Sequence, residues 1–595
     1  MTTASKTPVS EDGISAAGLD MSFSEQMWVA GQSFWASRVR GRIILLSLSL
    51  LVVLLLLTYG QILLNRWNQP FYNALENRDL AAFWQELRNF FFIAAFLLVI
   101  NVAQTFLSQM TALYMREGLA RDMVDQWLKG RRAYRLSVSS PLGVNPDQRL
   151  HEDARKLAES TTSLSVGLVQ STILLVSFIS VLWSLSGTII LPIFGHQIAI
   201  PGYMVWGALI YACGAALASN LVGARLTRLN AIRYAREAEM RASLMRSNEH
   251  LEQIALARGE AVERAAIHAT IDSVLGIIRK LALALTNLTW VSAAFGWLAL
   301  IVPVLIASPA FFSGTMSFGG LMMAASAFTQ VYTALRWYVD NFGAIADWKA
   351  TLLRVMVLRA ALTEPALTDQ VPGQIQVEIG KPGVLAFEDL YIRTPQEAEA
   401  AWGGYHLKED NPVIVAGERI MINGDPGINR RQLFNAIAGL WPYGEGTIRL
   451  PEDDHMLFMP QTPYMPEGRL RDLLAYPEAS DIYTDDAIIA ALKTVKLGRL
   501  TTALNQRQRW DRVLSKEEQM SLAFAHILLR KPHWVIFNDV LEGLEDDTIK
   551  ILTGVMANMQ DATLVYLGRN AGYLEALSPR VLHLERLDVP VPDAD

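Results

Sequence analysis

Long apolar runs alternate with basic, helix-prone stretches over the N-terminal part of the chain, and short β-type runs alternate with amphipathic stretches over the rest. The clearest apolar run, RIILLSLSLLVVLLLLTYGQILL from Arg42, exceeds the about 20 residues a helix needs to cross a bilayer. Further runs at 90–109, 164–185, 202–222, 281–306 and 318–344 bring the expectation to six membrane helices. Buried soluble helices are the alternative, which repetition of such runs disfavours. Arg336 and Asp340 predict that the last run leaves the lipid before its end.

The loop charges orient these helices. Nine Lys and Arg lie between Arg116 and Lys156 and ten between Arg225 and Lys280, while the third-to-fourth and fifth-to-sixth connections hold none. Even-numbered connections and both termini therefore face the cytoplasm. Residues 225–263 lack Pro and contain one Gly, Gly259, so the flanking helices are expected to continue far beyond the membrane. Residues 22–42 carry Phe23, Met27, Trp28, Phe34 and Trp35 ahead of Arg38, Arg40 and Arg42. They read as an amphipathic helix at the inner interface or as a packing elbow. The polar residues 1–21 predict a disordered start without a cleavable signal.

Composition narrows the function classes. Hydrophobic residues make up 51%, charged residues 18%, and mean hydropathy is +0.23. The net charge of −6 predicts no nucleic-acid partner. A single cysteine, Cys213, excludes an intramolecular disulfide and cysteine-built metal centres, and the nine His show no metal-ligand spacing.

Composition shifts near Arg354. Pro365, Pro372, Gly373, Gly380, Pro382 and Gly383 mark a linker over 356–383, after a membrane domain at 22–355. In 384–588, VLAFEDLYI, RIMIN, HMLFM, HWVIFND and TLVYLG alternate with helical stretches, predicting an α/β domain with a mostly parallel sheet and a tail at 589–595. Within it, GERIMINGDPGINRRQLFNAIAGL sets a strand, a glycine turn and a helix in succession, the order of a phosphate-binding loop. Gly424 and Gly427 are present. Asn429 stands where a third glycine would be, Arg430 at the lysine that meets the β- and γ-phosphates, and Arg431 at the magnesium-binding hydroxyl.

The downstream order QTPYMPEGRLRDLLAYP, VLSKEEQMSLAFAHILLRKPHWVIFND and TLVYLGRN resembles an ATP-binding-cassette (ABC) nucleotide-binding domain. AIAGLWPYG, WNQPFYNALENRD, NPDQR (Asn145, Pro146, Asp147, Gln148, Arg149) and a long stretch holding Glu252, Gly259 and Glu263 resemble the SbmA/BacA-like subfamily of half-transporters. They are similar also to the peroxisomal acyl-CoA half-transporters. The likeness covers about 22–588 and departs near Arg116, where YMREGLA stands for an RWR-type stretch. It implies an ABC exporter-like helical membrane domain followed by a P-loop-type ABC domain, working as a homodimer in a bacterial inner membrane.

Carried over by position, the same resemblance implies a degenerate site. Asn538 stands at the magnesium-orienting aspartate and Asp539 at the water-polarising glutamate. Glu517 stands at the signature-loop glycine and Arg569 at the switch histidine. Gln461 and Ser515 are retained. The position that often carries an adenine-stacking aromatic falls near Thr394, with Tyr391 a distant substitute. Losing one transition-state group costs a factor of about 100 or more, so a pseudo-ATPase is expected, with magnesium unligated and no cofactor required. Arg430 and Arg431 either bind ATP phosphates without magnesium or form surface ion pairs in a vestigial loop.

Transport of peptides or other bulky amphiphilic solutes would then draw on an ion or proton gradient. An ATP-driven transporter and a non-transporting receptor are the other readings. Gln61, Asn101, Gln104, Gln170 and Asn287 are neutral groups in the apolar runs. Glu237, Glu239, Glu249, Glu252, Glu260 and Glu263 on the helix extensions read as solvated charges.

Overall fold

The computed structural model describes residues 21–139, 146–186, 188–193, 196–363, 374–395, 402–452, 456–569, 572, 575 and 577–587. The expected N-terminal disorder (all but Met21), the tail 589–595 and Asn145 lie outside these. The chain divides into two compact units, Met1–Thr368 and Asp369–Asp595.

The first unit is helical. Helix α1 (Phe23–Ala36) starts with a capping box: Ser22 Oγ accepts from Glu25 N, and Glu25 accepts in return from Ser22 N at 2.7 Å. Then follow α2 (Arg40–Glu76), α3 (Leu80–Leu128), α4 (Arg132–Ser139), a helical turn at Pro146–Gln148, a π-turn at Arg149–Asp153 and α5 (Ala154–Leu185). An antiparallel hairpin, β1 (Thr188–Ile193) with β2 (His196–Pro201), leads to α6 (Tyr203–Glu249), α7 (Leu251–Leu256), α8 (Glu260–Phe312), α9 (Phe318–Asp340) and α10 (Phe342–Thr363).

Five helical segments among the described residues are long and apolar enough to cross a membrane: Arg40–Glu76, Leu80–Val138, Pro146–Leu185, Tyr203–Glu249 and Glu260–Phe312. The sixth expected span is present as helix α9, which falls outside that set. Gly319, Gly320, Ala324, Ala327, Phe328 and Val331 bury it within the bundle. A helix that packs through small residues toward other helices rather than lipid needs less hydropathy. Its close approach is direct: Gly319 N donates to Asn73 Oδ1 at 2.9 Å, and a Cβ on Gly319 would meet Gln69 O at 2.1 Å. Arg336 and Asp340 stay helical, as an i,i+4 ion pair at 3.0 Å, and the helix ends at Asn341 rather than running to 344.

Two other expectations are revised. The stretch Trp67–Asp79, which the family resemblance implies is the first outer loop, is helical to Glu76 with Pro70 inside. Trp67 stacks on Phe71 (centroids 4.4 Å) and donates from Nε1 to Glu86 O, which ties the end of α2 to α3. The 356–383 segment is not all linker: Met356, Val357 and Leu358 are buried in α10, and β3 (Gln376–Ile379) already belongs to the second unit's sheet. The extended helices match expectation: α6 and α8 run 47 and 53 residues, separated by the break at His250 and the turn before Gly259.

The second unit carries β4 (Val384–Pro395), β5 (Trp402–Leu407), β6 (Val413–Val415), β7 (Arg419–Gly424), α11 (Arg430–Ile437), β8 (Gly444–Leu450), β9 (Met456–Met459), β10 (Gly468–Arg469) and α12 (Leu470–Ala475). Next come α13 (Asp485–Thr494), β11 (Arg507–Gln508), α14 (Trp510–Val513), α15 (Lys516–Arg530), β12 (Trp534–Asn538), α16 (Asp546–Asn558), β13 (Thr563–Leu567) and β14 (Arg580–Leu587). The main sheet runs β3-β8-β4-β5-β14-β7-β13-β12-β9, with β6 beside β4. The β14-β7-β13-β12-β9 part and the β3–β8 pairing are parallel; the β14–β5, β4–β5, β4–β6 and β4–β8 pairings are antiparallel. The sheet is thus mixed, with its parallel part around β7, β13 and β12 as expected and an antiparallel part around β4 and β5. β12 and β13 are buried on both faces, as their continuous Val, Ile and Phe composition dictates.

Candidate nucleotide site and membrane-domain motifs

Strand β7 is held between β13 and β14 with Ile420, Met421 and Ile422 buried. At its carboxyl end the chain turns through Asp425–Asn429 into α11, where a parallel α/β sheet presents ligands to a helix N-terminus. Gly427 has φ +91°, and a Cβ there would meet nothing within 4 Å. The glycine is needed for the left-handed backbone rather than for space.

The loop is anchored from β14. His583 Nδ1 lies 2.7 Å from Asn423 Oδ1 and its Nε2 3.0 Å from Asp425 Oδ1, while Arg586 N donates to Asp425 Oδ2 at 3.4 Å. The His583 contact, more than any other, holds the Asp425 carboxyl below the usual carboxylate range. On the other side the Tyr405 hydroxyl is 2.7 Å from both Asn429 O and Gln432 Oε1, and burial pushes its phenol far up.

Arg430, at the start of α11, is only 6% exposed, and its Nε and Nη1 are buried with no hydrogen-bond partner among the described residues. Asn538 Oδ1 and Asp539 Oδ1, at and just after the end of β12, are buried in the same condition. Burial pushes the Asp539 carboxyl up. The positive charges of Arg430 and Arg569 pull it back, and Glu542 adds to the push. Asp539 itself sits at φ +48°, a conformation that is strained for a residue with a Cβ. The structure therefore brings Arg430, Asp539 and Arg569 into one electrostatic group, with Asn538 next to it. Magnesium prefers several hard oxygens; here an amide, a single carboxylate and two guanidinium groups occupy the place, a poor match. Asn429, Arg431, Gln461 and Arg569 are exposed.

The signature segment is used locally. Ser515 caps α15: its Oγ accepts from Glu518 N at 3.2 Å, and Glu518 Oε2 accepts from Ser515 N at 3.1 Å. Glu518 is also paired with Arg499, a contact that lowers its carboxyl pKa most. Glu517, where a glycine is expected, accepts from Glu545 N at 3.1 Å and so ties α15 to the start of α16. Gln519 Nε2 donates to Asp511 O and Leu514 O, both at 2.9 Å.

In the first unit, the NPDQR segment forms the turn Pro146–Gln148 with Asp147 and Gln148 exposed and Arg149 buried in the π-turn. Asp153, which follows, accepts two bonds from Arg354 of α10 at 2.9 Å. A second buried pair joins Arg359 Nε to Asp122 Oδ2 at 2.7 Å, and Ser33 Oγ donates to the same oxygen at 2.7 Å. Glu252 is exposed on α7, Gly259 caps α8, and Glu263 accepts from Ser247 at 3.1 Å across the helical tip. Gln104 and Gln170 pair across α3 and α5 at 3.0 Å. Sequence reasoning missed Asp122, Arg354, Arg359 and His583. The first three join residues 201 and 237 positions apart, for which local spacing gives no signal.

A family profile described as ABC transporter transmembrane region 2 matches residues 34–312. "Inner membrane ABC transporter ATP-binding protein YddA" of Escherichia coli is 26% identical over 544 residues, 91% of this chain and 94% of that protein. "ABC transporter D family member 2, chloroplastic" of Arabidopsis thaliana is 26% identical over 573 residues, covering 84% and 78%. A bacterial Atm1-family ABC exporter solved with ATP bound superposes with TM-score 0.68 at 14% identity, covering 92% of this chain and 94% of that chain. That last likeness concerns the fold.

Proposed function

We propose that this chain, an ABC half-transporter with fused membrane and ABC domains related to the D-family transporters, works as a homodimer whose ABC domain does not drive transport by turning over ATP. Membrane transport is the activity its relatives share. The finer reading is import of peptides or other bulky amphiphilic solutes across a bacterial inner membrane, powered by an ion or proton gradient. In it the two ABC domains act as a dimer scaffold and both termini are cytoplasmic.

The observation that carries this reading is the Arg430–Asp539–Arg569 group. The position that should polarise water holds a carboxylate hemmed by two cations, with Asn538 next to it in place of an acid. Phosphoryl transfer relies on positioning and charge stabilisation, and the signature segment adds a carboxylate, Glu517, already spent on Glu545 N.

A second reading is favoured by one specific feature. Gly427 supplies the loop's left-handed backbone, and Arg430 is buried with no hydrogen-bond partner on two of its nitrogens among the described residues. A planar guanidinium recognises phosphate oxygens in a bidentate way, so ATP held without magnesium and without turnover fits this loop. YddA is named an ATP-binding protein.

The test is proteoliposome uptake by the purified chain with a labelled peptide panel. Uptake that survives ATP depletion and collapses with an uncoupler supports gradient coupling. Brisk phosphate release that stops in Asp539→Asn overturns it.

A further inference from the structure

The membrane unit holds a two-lobed cleft beneath α1. Its inner lobe, about 130 Å³, is apolar, with Met27, Ala30, Ile43, Leu157, Trp348 and Met356 among its walls. Polar groups in its walls are engaged with one another or with neighbours: Trp348 Nε1 donates to Thr161 Oγ1 at 2.8 Å and Ser33 Oγ to Asp122 Oδ2 at 2.7 Å. An apolar cavity of this size, about that of the ~150 Å³ cavities that stay dry and admit a benzene-sized guest, takes hydrocarbon rather than water. The outer lobe, about 100 Å³, is bounded by Arg38, Arg121, Asp122 and Asp125, and Ser37 and Gly118 line both lobes.

Charge at the mouth is not uniform. Asp122 is committed to Ser33 and Arg359, and Arg121 pairs with Glu117 at 3.0 Å. Arg38 and Asp125 are both exposed and have no ion pair among the described residues. One cation and one anion thus remain at the entrance to an apolar lobe. The surroundings are those of a membrane boundary: Trp28 and Trp35 are 70% and 63% exposed on α1, and Arg40 lies 6.0 Å from the Trp35 ring centre.

We propose that this cleft binds one phosphatidylethanolamine molecule from the surrounding bilayer. Several methylenes of an acyl chain fill the inner lobe, the phosphate meets Arg38, and the ammonium donates to Asp125. A zwitterion satisfies both free charges. A purely anionic headgroup brings no counterpart to Asp125 and is repelled by it and by Asp122, so selectivity has an attractive and a repulsive part. Because Ala30 of α1 and Trp348, Leu352 and Met356 of α10 wall the same lobe, occupancy joins the elbow helix to the last helix of the unit.

The test is native mass spectrometry of the full-length chain, delipidated and then supplied with phosphatidylethanolamine, phosphatidylcholine or phosphatidylglycerol of identical acyl chains. One phosphatidylethanolamine is expected to be retained per chain, about 10-fold better than either other lipid. Ala158→Leu, which fills the inner lobe, is expected to abolish that retention. The exposed pair of changes Arg38→Gln with Asp125→Asn, which leaves the core untouched, is expected to remove the headgroup preference. Equal retention of phosphatidylglycerol or phosphatidylcholine by the unaltered chain overturns the proposal. So does an unchanged preference in the Arg38→Gln, Asp125→Asn chain.

Discussion

Each unit of the molecule buries charge, and the two do it in opposite ways. In the membrane unit, Asp122 with Arg359 and Asp153 with Arg354 are closed pairs: the second is bidentate, and in the first Asp122 also accepts from Ser33. In the ABC unit, Arg430, Asn538 and Asp539 leave four polar atoms buried without partners among the described residues. Closed pairs fasten helices; open ones are a cost that a fold keeps where something else is meant to bind or once did. The contrast separates pairs that fasten helices from a cluster left open at the end of a buried strand.

The largest expected effect comes from opening a closed pair. Asp122→Ala strands a guanidinium that is almost fully buried, and losing one partner of such a pair costs about 3–5 kcal/mol. The purified chain should unfold at a clearly lower temperature, and Asp122→Leu combined with Arg359→Met should recover most of the loss. If the single change were harmless, the pair would be ornamental and the comparison would fail.

The open cluster should respond the other way. Arg430→Met removes a buried cation whose Nε and Nη1 lack hydrogen-bond partners among the described residues, so the thermal midpoint should hold or rise. Binding of ATP in excess EDTA should weaken by about 10-fold or more, since a hydrogen bond to a charged group contributes about 1.5–3 kcal/mol. Calorimetry reads both. A fall in stability comparable to that of Asp122→Ala would show that Arg430 and Asp539 are a structural pair after all.

Much of this was legible in the sequence, for identifiable reasons. Helices built from long apolar runs, the helical extensions around Gly259 and the strand–turn–helix at Gly424 follow from local composition and period. α9 was read correctly as a helix, yet its small residues lower its hydropathy because it faces protein. The outer-loop placement of the Trp67 stretch follows from the family resemblance alone, while stacking on Phe71 and capture of Glu86 O keep it helical. The roles set against Asn538, Asp539 and Glu517 follow from the family resemblance by position. That Glu517 serves the start of α16, and that His583 anchors the loop, depends on contacts between distant segments.

A smaller effect tests the ABC unit by pH. His526 of α15 lies with Nδ1 2.7 Å from Leu474 O, and burial holds its imidazole below the ordinary value of about 6.5. As pH falls through that value the unfolded chain takes up a proton and the folded chain does not, so stability is lost on the acid side. The ABC unit's melting temperature should fall between pH 7 and pH 5, and His526→Gln should flatten that slope. The membrane unit's closed pairs carry no such histidine, so its transition should move less over the same range.

The smallest effect decides what Ser515 is for. By position it is a residue expected to reach nucleotide, yet in this fold its hydroxyl oxygen is engaged in the capping box with Glu518, which is itself paired to Arg499. Removing an N-cap hydroxyl costs about 1 kcal/mol. Ser515→Ala should therefore lower the ABC unit's thermal midpoint slightly and leave ATP affinity in EDTA where it was, while Ser515→Asp, another good cap, should restore the midpoint. If instead the alanine change left stability alone and reduced nucleotide affinity, the serine would belong with Arg430 in a working site, and the signature segment would have kept the role that Glu517 argues it has lost.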